Sequence, residues 1–152
     1  MRDKVTMSLV VKLAMASAVL MMAMAACGGP QKLEPRAMPP GATFNGKWYS
    51  PQYENMELKQ AGTKVTGTFS YKNGSLEGTL EGGILYFEWT QPGDMSKAVR
   101  EVRGTGYFIM GADGESFEGR WGYGDDNADG GVWTADRIES KGPKEDFDAP
   151  IF

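Results

Sequence analysis

The sequence contains no histidine and only one cysteine among its 152 residues. Histidine is the side chain that most often acts as a general base near neutral pH and most often binds a transition metal. Its absence also excludes Ser/His and Cys/His nucleophilic sites. A single cysteine cannot form an intramolecular disulfide bond. Carboxylates remain as candidate catalytic groups, but they fall on the polar face of the strand pattern described below, so we expect that the protein is not an enzyme.

Long apolar runs are also scarce, and the clearest one lies near the N-terminus. Arg2, Lys4 and Lys12 precede the run LAMASAVLMMAMAA, which ends directly before Cys27. A basic start followed by an apolar stretch that is too short for a membrane span is typical of an export signal. We therefore predict a signal segment at residues 1–26.

The end of this segment resembles the lipobox of bacterial lipoproteins. Met24-Ala25-Ala26-Cys27 follows its pattern, with Met24 in place of the more usual leucine. The resemblance implies that the Cys27 sulfur receives a diacylglyceryl group, that the signal segment is removed and that the new N-terminus is acylated. Each buried CH₂ group contributes about 0.8 kcal/mol, so several acyl chains anchor a protein stably in a membrane. Because Gly28 and not aspartate follows the cysteine, the resemblance further implies sorting to the outer membrane of the bacterial cell envelope. The alternative is an ordinary secretory signal followed by a free thiol.

Positive charge is in the minority in the rest of the chain. Without Arg2, Asp3, Lys4 and Lys12, thirteen basic and nineteen acidic side chains remain, which is a formal charge of −6. The sequence has no basic patch interleaved with aromatic residues. Nucleic acid is therefore not an expected partner.

Two segments outside the central region lack any periodicity. Residues 27–41 are rich in proline and glycine, which predicts a lipidated cysteine followed by a flexible tether. Residues 139–152 are charged and contain proline, which predicts a loose C-terminal tail. The folded domain is expected at residues 42–138.

Alternation of apolar and polar residues is nearly continuous in this domain, and it predicts β-strands. Turn signals separate the strands, as at Asn73-Gly74 and Gly82-Gly83. The connection Pro92–Val99 is longer and could hold a helical turn. The predicted strands cover residues 45–50, 55–60, 63–71, 75–81, 84–91, 101–110, 116–124 and 131–137.

Antiparallel strands in series predict the fold class. No helical segment of useful length interrupts the strands, which excludes parallel βαβ units. The expected fold is all-β, a single small antiparallel up-and-down β-barrel of about eight strands, because closure into a barrel removes exposed strand edges.

One face of the predicted strands carries glycines beside large aromatic residues. Gly67 precedes Phe69 and Gly119 precedes Trp121 in this pattern. Glycine weakens a strand, so its repeated use indicates either tight coiling of a small barrel or space for a ring to lie over bare backbone. An eight-stranded barrel is filled by side chains or holds one small ligand. The aromatic residues therefore either fill the core, which the residues alone favour, or line a ligand pocket.

Both ends of the alternating region resemble avidin and streptavidin. The stretch FNGKWYSPQYENMELKQAG is similar to the opening of that family, with Met56 eight residues after Trp48, and VWTADR is similar to its closing strand. The four tryptophans fall on predicted strands one, five, seven and eight, which carry tryptophan in that family, where three of them wall the biotin site. The resemblance covers roughly residues 43–137. The candidate ligand-binding residues are Trp48, Phe69, Trp89, Trp121 and Trp133.

The polar half of the biotin site is not matched. In that family, polar side chains bind the ureido oxygen of biotin by hydrogen bonds, and the corresponding positions here are Ser50, Glu54 and Phe69. An acid or amide of the family binds the ureido nitrogen, and the corresponding position here is Lys141. Phe69 has no hydroxyl group, and Glu54 offers an acceptor where a donor is needed. A site built around hydrogen bonds loses much affinity when its partners are absent. We therefore expect the fold of this family without biotin binding.

The stretch GDDNADGGVWTAD has nearly the spacing of a calcium-binding loop. Asp125, Asn127 and Asp129 would supply oxygen ligands, and Asp136 occupies the twelfth position. A strand follows here where such loops continue into a helix, and this register keeps Asp136 away from the ion. Asp, Asn and Gly are also the usual residues of a solvated turn. The turn is the favoured interpretation, and calcium binding by the three loop residues is the alternative.

These features together predict a non-catalytic cell-envelope lipoprotein that is held at the membrane by its lipid. In one hypothesis the barrel binds a small apolar or aromatic ligand. In the other hypothesis the barrel is solidly packed, and its outer face or acidic loop meets an envelope protein.

Overall fold

The computed structural model describes residues 30–138 and shows an all-β protein. Eight antiparallel strands pair in chain order and close into one barrel, as the sequence predicts. Besides the strands, the described residues contain two short 3₁₀ turns, Tyr71–Asn73 and Met95–Lys97, and the second lies in the connection that was expected to hold a helical turn. No helix among residues 30–138 has the length and hydrophobicity that crossing a membrane requires. The strands are β1 (Gly46–Ser50), β2 (Glu54–Ala61), β3 (Lys64–Phe69), β4 (Gly74–Glu81), β5 (Ile84–Pro92), β6 (Glu101–Met110), β7 (Ser116–Tyr123) and β8 (Gly131–Arg137).

The barrel closes where β1 meets β8, and this seam is short. Trp48↔Arg137 and Tyr49↔Asp136 pair across it, and just beyond them the Ile138 N–H donates to the Lys47 carbonyl at 2.9 Å. The side chain of Arg137 strengthens the seam by donating to the carbonyl oxygens of Thr43, at 2.7 Å, and Asn45, at 2.9 Å. Its guanidinium carbon lies 4.2 Å from the centre of the Trp48 ring, which is cation–π geometry.

The two ends of the barrel differ. The connections β2–β3, β4–β5 and β6–β7 form what we call the closed end, because the segment before β1 fills it. Phe44 is fully buried there, and its ring centre lies 5.6 Å from that of Phe117. The Phe44 carbonyl accepts a hydrogen bond of 2.9 Å from the indole of Trp48, while Met38 and Ala42 pack against the core beside it. The connections β1–β2, β3–β4, β5–β6 and β7–β8 form the opposite end, which we call the mouth end.

Residues 31–36, which we call the strap, lie along the outer wall of the barrel. The Gly83 N–H donates to the Arg36 carbonyl at 2.7 Å, and the Leu33 N–H donates to the Tyr86 hydroxyl at 2.9 Å. This differs from the flexible tether expected from composition, because the strap is bound to the wall by hydrogen bonds. Cys27, the predicted signal segment and the predicted C-terminal tail lie outside the described residues.

Glycines on the inner face let aromatic rings approach the backbone, as the sequence pattern indicates. A Cβ atom at Gly106 would lie 2.5 Å from the Phe87 ring, and one at Gly104 would lie 2.8 Å from the Trp89 ring. At Gly119 a Cβ would lie 1.7 Å from the Tyr107 carbonyl oxygen, so the strands themselves are close there. The alternating pattern thus builds a small barrel whose rings lie over bare backbone.

Candidate ligand-binding surface

The centre of the barrel is filled by side chains. Trp48, Phe108 and Trp133 are at most 2% exposed. Ring centres are 4.3 Å apart for Phe87 and Phe108, 4.3 Å for Phe108 and Phe117, and 4.8 Å for Trp48 and Phe117. These distances are typical of packed aromatic pairs. Of the five candidate ligand-binding residues, Trp48, Phe69 and Trp133 therefore belong to the packed core, and Trp89, which is 3% exposed, belongs to the side of it that faces the mouth end.

Trp89 and Trp121, the other two candidates, lie at the mouth end among three tyrosines. Edge-to-face contacts join Trp121 to Trp89 at 5.3 Å, to Tyr123 at 5.1 Å and to Tyr53 at 6.1 Å between ring centres. Tyr53 also contacts Tyr71 at 5.6 Å. We call these five rings the aromatic mouth. Trp133 forms its floor, with its ring centre 4.3 Å from that of Tyr53.

Part of the aromatic mouth is open to solvent. Tyr123 is 62% exposed and Tyr71 is 37% exposed, although both follow the inner-face pattern of their strands. Tyr71 leaves the pattern because β3 ends at Phe69, and Tyr123 because β7 ends there. Met95, in the β5–β6 connection beside the mouth end, is 73% exposed. The mouth therefore presents apolar ring surface that a ligand can reach.

Two indole N–H groups near the aromatic mouth have no hydrogen-bond partner. The Trp89 indole donates to the Gly122 carbonyl at 3.2 Å, but the buried Nε1 atoms of Trp121 and Trp133 are unpaired within the described residues. A buried donor without a partner costs roughly 1–3 kcal/mol. The site therefore holds unused donors next to apolar rings.

The Tyr53 hydroxyl group stays neutral near physiological pH. Burial raises its pKa above the ordinary value of 10.0. The nearby indole N–H of Trp121 offsets part of this rise, although the two groups are not in hydrogen-bond geometry. A neutral phenol can both donate and accept a hydrogen bond. The aromatic mouth thus contains a neutral polar group as well as ring surface.

Left-handed backbone conformations cluster at the mouth end. The four non-glycine residues with positive φ among the described residues are Glu54, Lys72, Asn73 and Ala98, all in or beside mouth-end connections. Such conformations cost about 1–3 kcal/mol each in many contexts and are frequent at ligand-binding sites. At the closed end the positive φ values belong to glycines such as Gly62, Gly82 and Gly114, which adopt them readily.

Hydrogen bonds within the acidic loop between β7 and β8 stabilise its turn. Asp126 accepts hydrogen bonds from the N–H groups of Ala128, at 2.9 Å, and Asp129, at 3.0 Å. These bonds, that of Ala128 first, hold the Asp126 pKa below its ordinary value. This residue was not among the candidate ligands, and its role is that of a turn-forming aspartate.

The three candidate calcium ligands differ in their surroundings. Asn127 is 2% exposed, and its Oδ1 atom accepts a hydrogen bond of 2.7 Å from the Gln31 N–H. Asp125 and Asp129 are exposed. Among residues 30–138, no group of three or more Asp, Glu, Cys or His residues is arranged to hold a metal ion. The solvated turn stays the favoured prediction and calcium binding the alternative, and the Asn127 amide is buried against the Gln31 backbone.

The positions that correspond to the polar half of an avidin site do not converge on the aromatic mouth. The Ser50 hydroxyl is buried in the β1–β2 turn, where it donates to Gln52 at 3.1 Å and accepts from the Tyr53 N–H at 3.1 Å. Glu54 is exposed and Phe69 is in the core, while Lys141 lies outside the described residues. The hydroxyl of Ser50 is thus already used by the local turn.

The carboxylates on the strands face solvent. Glu57, Glu77, Glu88 and Glu118 are all exposed. Glu77 and Glu88 are direct partners across β4 and β5, a proximity that the sequence pattern did not reveal. Lys64 pairs with Glu77 at 2.7 Å. The groove that contains both carboxylates, about 1130 Å³ in volume, is an open trough on the outer wall beside the strap.

Sequence reasoning missed the three tyrosines of the aromatic mouth. The signal that could have identified them is their position beside turn residues. Tyr53 follows Pro51, Tyr71 precedes Asn73-Gly74, and Tyr123 precedes Gly124. Aromatic residues next to turns lie at the ends of a barrel and not in its centre.

Comparison of this chain with protein-family models, with curated proteins and with solved structures finds no match.

Proposed function

We propose that this protein is a non-catalytic lipoprotein of the bacterial cell envelope, anchored through Cys27, whose barrel binds a small apolar or aromatic ligand. The lipobox-like sequence before Cys27 supports the anchor and the outer-membrane location. The absence of histidine from the sequence and the exposure of the strand carboxylates favour a non-catalytic role. The formal charge of −6 after the signal segment argues against a nucleic-acid partner.

The observation that carries the binding role is the exposed aromatic mouth. Its rings offer apolar area at little conformational cost, and Tyr123 is the most exposed of them. The filled barrel centre limits the ligand to this surface, where it would stack on the rings of Tyr123 and Trp121. An acceptor atom on the ligand could pair with an indole N–H that now lacks a partner, provided that the rings shift to admit it.

A dye experiment tests this proposal. The protein is titrated with 8-anilinonaphthalene-1-sulfonate, and its tyrosine and tryptophan emission is followed. Binding at the mouth should quench this emission, and Tyr123→Ala should weaken binding several-fold. Tyr49→Ala is the matched control, because Tyr49 is 51% exposed but lies on the outer wall of β1. An equal response of both variants would contradict a site at the mouth.

The second candidate function is a structural or interaction role without a ligand. The close ring packing in the barrel centre favours it, because a filled barrel needs no ligand for stability. In that case the outer wall or the acidic loop would meet another envelope protein. An unresponsive protein emission in the dye experiment would support this function over the first.

The anchor has its own test. Mass spectrometry of the N-terminal peptide from cells should find a lipid-modified Cys27 as the first residue. An unmodified thiol at this position would contradict the anchor and leave the barrel as a secreted protein.

A further inference from the structure

The strap fixes the path of the chain along the barrel wall from Gln31 to Arg36. Arg36 is bound at Gly83 in the β4–β5 turn, at the closed end. Leu33 is bound to Tyr86, further along β5. Gln31 is bound to Asn127, in the β7–β8 connection, which starts at the mouth end and folds back over Arg120 and Gly122 on the outer wall. Followed from Arg36 back to Gln31, the chain therefore runs from the closed end towards the mouth end.

Two hydrogen bonds attach the backbone of Gln31 to the side chain of Asn127. The Gln31 N–H donates to Asn127 Oδ1 at 2.7 Å, and Asn127 Nδ2 donates to the Gln31 carbonyl at 3.0 Å. Asn127 is 2% exposed, so water competes poorly for these bonds. Gln31 is only four positions after Cys27, and a chain of that length spans at most about 14 Å. A lipid on Cys27 would therefore be attached within that distance of the Gln31 backbone.

Exposed apolar side chains are concentrated at the same end. Of the seven exposed large hydrophobic residues in the described part of the chain, Tyr71, Met95, Val99 and Tyr123 lie in or beside mouth-end connections. Tyr49 and Val132 lie on the outer wall, each one residue from the mouth end of its strand, and Ile138 alone is at the closed end. Tyrosine is favoured at the boundary between lipid headgroups and acyl chains.

We propose that the aromatic mouth and the β5–β6 connection face the bilayer that holds the lipid anchor, with Tyr71, Tyr123 and Met95 at the headgroup layer. This proposal rests on the lipid anchor of the proposed function. The anchor supplies the attachment, and the strap directs which end of the barrel is turned to the membrane. A ligand of the mouth is then an apolar or aromatic group presented at the bilayer interface.

The charge of this end indicates which lipid surface fits. The mouth-end connections carry four acidic residues, Asp94, Asp125, Asp126 and Asp129, and three cations, Lys72, Lys97 and Arg100. Acidic residues at the contact are repelled by anionic lipids. The surface therefore fits zwitterionic headgroups such as phosphatidylethanolamine.

Fluorescence quenching in vesicles tests the orientation. The full lipidated chain carrying Met95→Cys is labelled with a fluorophore and reconstituted into phosphatidylethanolamine–phosphatidylcholine vesicles with bromine near the headgroup end of the acyl chains. The matched control carries the label at Ala112→Cys, which is exposed in the β6–β7 connection at the closed end. We expect quenching at position 95 to exceed that at position 112 several-fold, and phosphatidylglycerol to reduce it.

The possible results separate the two proposals. Equal quenching at both positions, or stronger quenching at position 112, would overturn the orientation if mass spectrometry finds lipid on Cys27. A chain without lipid would instead contradict the anchor itself. In an Asn127→Ala variant the strap loses the hydrogen bonds that hold Gln31, and the difference between positions 95 and 112 should shrink. An unchanged difference in that variant would show that the strap does not set the orientation.

Discussion

Asn127 holds the backbone of Gln31 with both atoms of its amide group, across 96 residues of sequence. We expect Asn127→Ala to release the first part of the strap, because two partly buried hydrogen bonds worth about 1 kcal/mol each are lost. Amide hydrogen exchange should show the Gln31 N–H exchanging at least about tenfold faster. Asp125→Ala is the control, because Asp125 is exposed in the same loop. Unchanged protection of Gln31 in Asn127→Ala would contradict the role given to this pair.

Arg137 joins three separate segments at the closed end. Its guanidinium group donates to the carbonyl oxygens of Thr43, Asn45 and Gly114 and stacks on Trp48. Lysine cannot reproduce this planar set of donors, so we expect Arg137→Lys to lower the free energy of unfolding by about 2 kcal/mol or more.

The control for this prediction is Arg103→Lys. Arg103 has a 78% exposed side chain that lies 3.9 Å from Glu101, and its replacement should cost less than about 0.5 kcal/mol. Urea denaturation measures both variants. Similar losses in the two would indicate that Arg137 acts only as a surface charge.

The acidic loop should respond to pH through Asp126. Hydrogen bonds from Ala128 and Asp129 lower its pKa below 3.8, so the folded loop favours the charged carboxylate. This stabilisation is complete above the unfolded pKa and is lost as the pH falls through the lower folded value. The amide resonances of Ala128 and Asp129 should therefore shift on acidification below about pH 4. Asp126→Asn keeps an acceptor oxygen but does not titrate, and the same shift in that variant would contradict the assignment.

Calcium should leave the melting temperature of the domain unchanged. Asn127 is only 2% exposed and its amide group is bound on both atoms to the Gln31 backbone, so its oxygen is not open to an ion from solvent. A rise in melting temperature with calcium that disappears in Asp129→Ala would contradict this prediction and establish the loop as a metal site. The same titration with magnesium controls for ionic strength.

The fold follows from the sequence because its signals are local. Alternating residues predicted the eight strands to within a few residues at each boundary, and the short turns between them left an up-and-down barrel as the simplest topology. The role of the inner glycines was also predicted from neighbouring residues in the sequence. Gly104 and Gly106 are placed so that the rings of Trp89 and Phe87 can lie over them.

The strap and the aromatic mouth depend on contacts that no local pattern reveals. Residues 31–36 have the composition of a flexible tether, but Tyr86 and Asn127, which bind the backbone of the strap, are distant in sequence. The mouth was only partly predicted. Trp89 and Trp121 were candidates, whereas the exposure of Tyr71 and Tyr123 depends on where β3 and β7 end. Strand ends are less well defined by alternation than strand interiors.

Native mass spectrometry of residues 28–152, purified gently from cells, is the measurement that tests ligand binding at the aromatic mouth most directly. We expect a small-molecule adduct on the parent protein and on Tyr49→Ala that is lost from Tyr123→Ala. The mass of the adduct would identify the class of ligand. A bare parent protein, or an adduct that persists unchanged in all three proteins, would contradict binding at the mouth.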